Sequence, residues 1–242
     1  MQIREIDQTK FFDAIPSALT PWFPDDKPMW FILDYISEAI AKIYENNAGQ
    51  YEEIKKNVYV GKTTIRNISG YAEIKGPALI GNGCELRHGA FLRENVIIGD
   101  NCVIGNSTEI KNSVLFNNVE VCHFNYIGDS ILCNYVHFGA GAIISNVLLT
   151  KNKKERIEQN NDTIKPVKIK TKDDWIDTGR RKFGAIIGDY AEIGINATIN
   201  PGTLLEMNMF VPSSFSIGGY FSIGYIFPRN IIYNSDSKSP SA

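Results

Sequence analysis

The chain carries an aliphatic residue at nearly every sixth position. From Ile68 the steps fall on Ile74, Ile80, Leu86, Leu92, Ile98, Ile104, Ile110, Phe116 and Cys122. Four residues after each member comes a second, mostly smaller set: Ala72, Ala78, Cys84, Ala90, Val96, Cys102, Thr108 and Val114. Glycine often follows the aliphatic residue, as in Ile80-Gly81, Ile98-Gly99 and Ile104-Gly105. A second run repeats the pattern at Ile187, Ile193, Ile199, Leu205 and Val211, with Ala191, Ala197 and Thr203 in the small positions. A period of six fits neither the 3.6 of an α-helix nor the alternation of a half-buried strand. It fits a triangular coil in which each flat face is one short strand and each corner one turn. The aliphatic residue points into the prism, the small one fits near the corner, and Gly or Asn takes the turn. Three hexads complete one coil, so the two runs predict a stack of roughly five to six coils.

Residues 1–57 follow another pattern. Asp25, Asp26 and Lys27-Pro28 predict a helix start. Phe31, Ile32, Tyr35, Ile36, Ala39, Ile40 and Ile43 then form one apolar stripe, ended by Asn47, Ala48 and Gly49. With Phe11, Phe12, Trp22, Phe23 and Trp30, the segment is expected to dock on the rest of the chain. The predicted organisation is a helical, aromatic-rich segment 1–57, a β-helix 58–219, and cap strands with a mobile tail over 220–242. Residues 147–183 abandon the hexads and carry Lys151, Lys153, Lys154, Arg156, Lys165, Lys168, Lys170, Lys172 and Arg180-Arg181-Lys182. This insertion is either a solvated charged excursion or a basic arm folding over an anion such as a sugar phosphate or coenzyme A.

Composition narrows the function. The 242 residues are 43% hydrophobic with a formal net charge of −2, which gives no electrostatic reason to expect nucleic acid or an acidic membrane as partner. The four cysteines lack the spacing of a metal or redox motif, and Cys84 and Cys102 occupy small hexad positions. The reading is a reduced, cytoplasmic, soluble protein without a required metal. Charged residues interrupt the first twenty positions, so no signal-peptide core is expected there.

Candidate chemistry starts with the three histidines, His88, His123 and His137. His123 lies where the hexads falter, and irregular backbone on a rigid scaffold is where sites tend to lie. It opens the stretch His123-Phe124-Asn125-Tyr126-Ile127-Gly128-Asp129, followed by Phe138-Gly139-Ala140-Gly141 and Asn146. A later run reads Thr178-Gly179-Arg180-Arg181-Lys182-Phe183-Gly184-Ala185-Ile186-Ile187-Gly188-Asp189. These motifs resemble the acetyltransferase half of the bifunctional glucosamine-1-phosphate acetyltransferase/N-acetylglucosamine-1-phosphate uridylyltransferase. They are similar also to the C-terminal β-helix of related sugar-1-phosphate nucleotidylyltransferases, over roughly residues 75–215.

The resemblance implies a left-handed parallel β-helix and a set of roles. His123 falls on the general base and Asn146 on a polar contact near the amine and acetyl group. Arg93 and Lys111 fall on the pair holding a sugar 1-phosphate, Tyr126 on a residue orienting it, and Ala140 where backbone approaches the thioester. His137 stands where the hexosamine enzymes carry a sugar-contacting asparagine. Val147 replaces a tyrosine, and Ile195 and Met207–Phe210 depart from the small residues expected on the coenzyme side. Arg93 and Lys111 are eighteen apart, one full coil, so they should stack about 4.8 Å apart and repel unless an anion lies beside them. A solvated pair on a charged ridge is the alternative; the matching base and tyrosine favour a phosphate site.

The implied activity is acetyl-CoA-dependent N-acetylation of an amino-sugar 1-phosphate in UDP-N-acetylglucosamine biosynthesis, by a homotrimer with sites between subunits. Residues 1–57 hold no Gly-rich nucleotidyltransferase loop, so the expectation is the β-helix half alone. A second reading is a non-catalytic scaffold or a sugar-phosphate-binding regulator of a nucleotidyltransferase. A third is another acyl donor or acceptor on the same scaffold.

Overall fold

The structure is a computed structural model describing residues 6–149, Lys154 and 165–222. Its strands form a left-handed parallel β-helix of about eight turns, a prism whose three sheets are here named faces A, B and C. Among the described residues, face A has nine strands, from Tyr51–Lys55 to Tyr220–Phe221. Face B has six, from Glu85–Leu86 to Phe210–Val211, and face C seven, from Glu73–Ile74 to Ser216–Ile217. The extra turns beyond the two hexad runs come from Val58–Gly61 below and Tyr220–Phe221 above, both paired in parallel on face A. Tyr220–Phe221, expected as a cap strand, pairs in parallel with Thr203–Leu205 as the last strand of face A. The remaining expected cap positions and the tail lie outside the described residues.

The predicted column fills the prism, with Ile74, Ile80, Leu86, Leu92, Ile98, Ile104 and Ile110 buried in register. So are Ile187, Ile193, Ile199, Leu205 and Val211. Each fully buried aliphatic side chain contributes roughly 1.5–3 kcal/mol, and stacking makes the contributions cooperative along the axis. The column slips at one place. Leu115 and Val121, not Phe116 and Cys122, line the interior. The step from Ile110 to Leu115 is five residues, and so is the step from Ile127 to Leu132 one coil later. Both shortened steps turn the corner from face C to face A, through Asn112 (φ 46°) and Asp129 (φ 50°).

The shift turns Val114 and Phe116 outward on face A, where the N-terminal segment covers them. Phe12 and Phe23 pack on Phe116 at ring-centroid distances of 5.9 and 5.5 Å. Ile32, Ile36 and Ile40 join the same cluster with Leu79, Ile97, Ile131, Ile186 and Leu204. Face A is therefore apolar on both sides, as parallel sheets covered on both faces are.

The expected helix start is corrected. Met29–Asp34 is a 3-10 helix, Tyr35 breaks the run with φ −125°, and the α-helix is Ile36–Asn47. Met29, Trp30, Ile32 and Leu33 are all buried, and a tighter helix threads that apolar quartet onto face A more readily than one amphipathic stripe. Ile36, Ala39, Ile40 and Ile43 do form the buried stripe, whereas Tyr35 is exposed. Tyr51–Lys55, within the expected helical segment, is an antiparallel strand on Val58–Gly61. Part of the insertion is ordered as well: Lys168–Lys170 and Trp175–Asp177 form a hairpin whose Ile169 and Ile176 join the face-A cluster. Lys151, Lys153 and Arg156 lie outside the described residues. No helix among the described residues is long and apolar enough to cross a membrane.

Candidate active site

The sequence-derived site residues divide between the two ends of face C. At the corner entering it, His123 closes the strand Glu120–His123, in register with Asn106 below. Its N–H donates to Asn125 Oδ1 at 3.0 Å. The Asn125 side chain turns inward and donates to the carbonyls of Gly139 and Ala142, at 2.9 and 3.0 Å. One buried amide thus ties two coils together and fixes the corner. His123 is exposed, and its imidazole has no hydrogen bond or ion pair among the described residues. Phe124 beside it sits at φ 53° and is 63% exposed. Ala140 lies one coil above His123, whose carbonyl accepts from the N–H of the next residue, Gly141, at 2.9 Å. The Ala140 carbonyl accepts from Asn196, while its own N–H donates to nothing among the described residues. A titratable side chain and an open backbone donor thus share one corner.

At the far end of face C, Arg93 and Lys111 occupy adjacent coils, with the Arg93 N–H donating to the Ile110 carbonyl at 2.8 Å. Each cation has an acid. Arg93 Nη1 is 3.1 Å from Glu109 Oε1, and Lys111 Nζ is 3.8 Å from Asp129 Oδ2. The residue stacked on Lys111 is Gly128. A Cβ there would lie 2.7 Å from both the Tyr126 hydroxyl and the Asn146 amide nitrogen. Absence of a side chain at this rung is therefore what lets Tyr126 and Asn146 close over it. Burial raises the Tyr126 pKa, and the carboxylates of Asp129 and Glu109 raise it further; Asn146 and Arg93 oppose them. The phenol stays a proton donor through the neutral range.

Asp129 is the centre of this end. It is 3% exposed. Asn112 Nδ2 donates to its Oδ1 at 2.9 Å and Asn146 Nδ2 to its Oδ2 at 2.5 Å. Arg180 Nη2 approaches Oδ1 at 3.9 Å and also pairs with Asp34. Arg180 belongs to the later motif, which the N-terminal segment pins: Trp30 Nε1 donates to the Thr178 carbonyl at 3.1 Å, and Trp30 packs on Phe183. Asp129 and Glu109 were not given site roles in the sequence, although Asp129 closes the His123 motif, and Arg180 was named only as part of the basic arm and of the later motif. The signal for Asp129 was the spacing Asn112–Asp129–Asn146, seventeen and seventeen, against eighteen elsewhere.

Arg93, Lys111, Tyr126 and Asn146 are thus brought to one end of face C, and His123 and Ala140 to the other. His137 joins neither group. It sits on face B with Nδ1 3.0 Å from Glu120 Oε2, three strand positions from Ala140, roughly 10 Å. Among the described residues no cluster of three His, Cys, Asp or Glu could hold a metal ion.

Residues 74–175 match the family model described as the GMPPB C-terminal domain. This stretch of the β-helix resembles that domain. The matched span is narrower than the 75–215 expected from the motifs. A bifunctional sugar-1-phosphate nucleotidylyltransferase/acetyltransferase of Sulfurisphaera tokodaii is 38% identical over 89 residues, 37% of this chain and 19% of the relative. The bifunctional protein GlmU of Methanococcus vannielii is 31% identical over 98 residues, 40% of this chain and 20% of the relative. The matched stretch thus spans about a fifth of the length of these curated relatives. The acetyltransferase domain of PglB from Neisseria gonorrhoeae is similar over 76% of this chain and 59% of that domain, with 17% identity and a TM-score of 0.38. The matched stretch of the β-helix is thus similar in sequence to part of these bifunctional relatives.

Proposed function

We propose that the chain transfers the acetyl group of acetyl-CoA to the amine of an amino-sugar 1-phosphate. The observation carrying this reading is the layout of face C, with stacked Arg93 and Lys111 at one end and an unpartnered imidazole at the other. Two adjacent cations suit a phosphate monoester dianion, which would replace Glu109 and Asp129 as their partner. Tyr126, whose hydroxyl lies at the Gly128 rung stacked on Lys111, donates to the sugar phosphate. The sugar ring then lies beside Tyr126, with its amine, one carbon from the phosphate-bearing carbon, directed toward the His123 corner.

In this reading His123 takes the proton of the substrate ammonium, and the freed nitrogen lone pair adds to the thioester carbonyl. The resulting oxyanion is met by the Ala140 N–H. As the C–S bond breaks, the proton held on His123 passes to the coenzyme thiolate, and the second proton of the attacking nitrogen goes to the freed imidazole and on to solvent, leaving the neutral amide. No covalent enzyme intermediate is needed once both substrates are held in contact. His137 is set apart from the sugar in this scheme. The N-terminal segment occupies face A, which leaves faces B and C for subunit packing; a homotrimer that completes the coenzyme pocket across that interface is part of the proposal.

One observation favours the second reading, a sugar-phosphate-binding regulator. The Asn146 amide is committed to Asp129 and not turned toward an amine. The two are separated by release of coenzyme A thiol from acetyl-CoA with glucosamine-1-phosphate or galactosamine-1-phosphate. Thiol release lost in His123→Ala supports transfer. Thermal stabilisation by the sugar phosphate without thiol release supports the regulator.

A further inference from the structure

We propose that the groove between the N-terminal segment and the turn at residues 178–182 binds a nucleoside diphosphate ester, with its phosphates on Arg181 and Lys182 and its base against Phe31. The groove has a volume of about 640 Å³ and is lined by Pro28, Phe31, Asp34, Asp129 and residues 178–182. That size lies in the range of small-ligand sites and exceeds what a lone phosphate fills.

The charge is specific. Arg180 is consumed by Asp34 and Asp129, and Asp129 is shared with Lys111. Arg181 and Lys182 are exposed and make no ion pair among the described residues. Of the three cations that line the groove, Arg180 is held by Asp34 and Asp129, which leaves Arg181 and Lys182 open to the two charges of a pyrophosphate diester.

The turn is built before any ligand arrives. Thr178 Oγ1 donates to the Val167 carbonyl at 2.7 Å, and Gly179 N–H donates to Asp177 Oδ1 at 2.8 Å. Gly179 has φ 70° and nothing within 4 Å of where a Cβ would be, so its backbone is open to close approach. The Phe31 ring packs on Tyr35 at 4.5 Å, a braced aromatic of the kind on which a base stacks. With a sugar nucleotide as ligand this site does not require the proposed acetyl transfer; with coenzyme A as ligand it rests on that reading.

Two sources share this chemistry, a free sugar nucleotide and the adenosine diphosphate end of coenzyme A. Equilibrium binding to the full chain is measured with UDP-glucose, GDP-mannose, ADP-glucose, coenzyme A and inorganic pyrophosphate. At least one nucleotide should bind, and Arg181→Ala/Lys182→Ala should weaken it at least tenfold without changing the melting temperature. Phe31→Ala should weaken the nucleotide but not pyrophosphate. Tighter binding of coenzyme A supports the coenzyme as the source; tighter binding of a sugar nucleotide supports the other. The proposal is overturned if no nucleotide binds, if the double variant binds unchanged, or if Phe31→Ala weakens pyrophosphate equally.

Discussion

The Asn146 amide donates to the Asp129 carboxylate at 2.5 Å across one coil of the β-helix. The same carboxylate takes the Asn112 amide from the coil below, and Lys111 and Arg180 from the side. A buried acid held in this way organises both the cation pair on face C and the 178–182 turn.

Asp129→Ala should therefore destabilise the fold by about 1–3 kcal/mol, because it leaves buried donors without an acceptor. Asp129→Asn should cost less in urea unfolding, since one oxygen still accepts, yet it should free Lys111 and Arg180. Equal stability of wild type and Asp129→Ala would remove Asp129 from this role.

Arg93→Ala and Lys111→Ala test the phosphate end. Each should raise KM for the amino-sugar phosphate roughly tenfold or more while changing kcat less, the signature of lost ground-state binding. His123→Ala should do the reverse. Steady-state kinetics over a range of sugar phosphate distinguishes the two patterns.

Much of the prism was legible in the sequence because interior positions recur every six residues, and burial tolerates few alternatives at Ile80, Ile98 or Ile193. The slip at Phe116 and Cys122 was not, because a corner can lose one residue without losing its turn. The two five-residue steps are visible only once Leu115 and Leu132 are recognised as interior. Cover over face A also had a readable signal. The doublets Leu79-Ile80, Ile97-Ile98, Val114-Leu115, Ile131-Leu132, Ile186-Ile187 and Leu204-Leu205 recur once per coil, and mark a strand buried on both sides. At the site, Arg93, Lys111, Tyr126 and His123 could be placed by motif. The Asp129 contacts depend on Arg180 arriving from an insertion that no period places.

Asp189 gives a pH dependence. It accepts from the N–H groups of Asn134 and Asp13, at 2.6 and 2.9 Å, and fastens the N-terminal segment to the prism. Burial raises its pKa above the ordinary carboxylate value, outweighing these donors. The folded chain then holds this proton to higher pH than the unfolded chain does. Asp189's contribution to stability is accordingly present below the unfolded value and lost as pH rises through the folded one. Asp189→Asn should lack that fall, so the stability difference between the two proteins should shift in favour of the variant over this window. Parallel urea-unfolding curves at every pH would contradict it.

The central claim is acyl transfer to an amine on face C. Its most direct measurement is mass spectrometry of the sugar phosphate after incubation of the full chain with acetyl-CoA and glucosamine-1-phosphate or galactosamine-1-phosphate. The account predicts an N-acetylated product that wild type forms and His123→Ala does not, while the variant still binds the sugar phosphate. Sugar phosphate and acetyl-CoA that both bind wild type yet yield no acetylated product would contradict it.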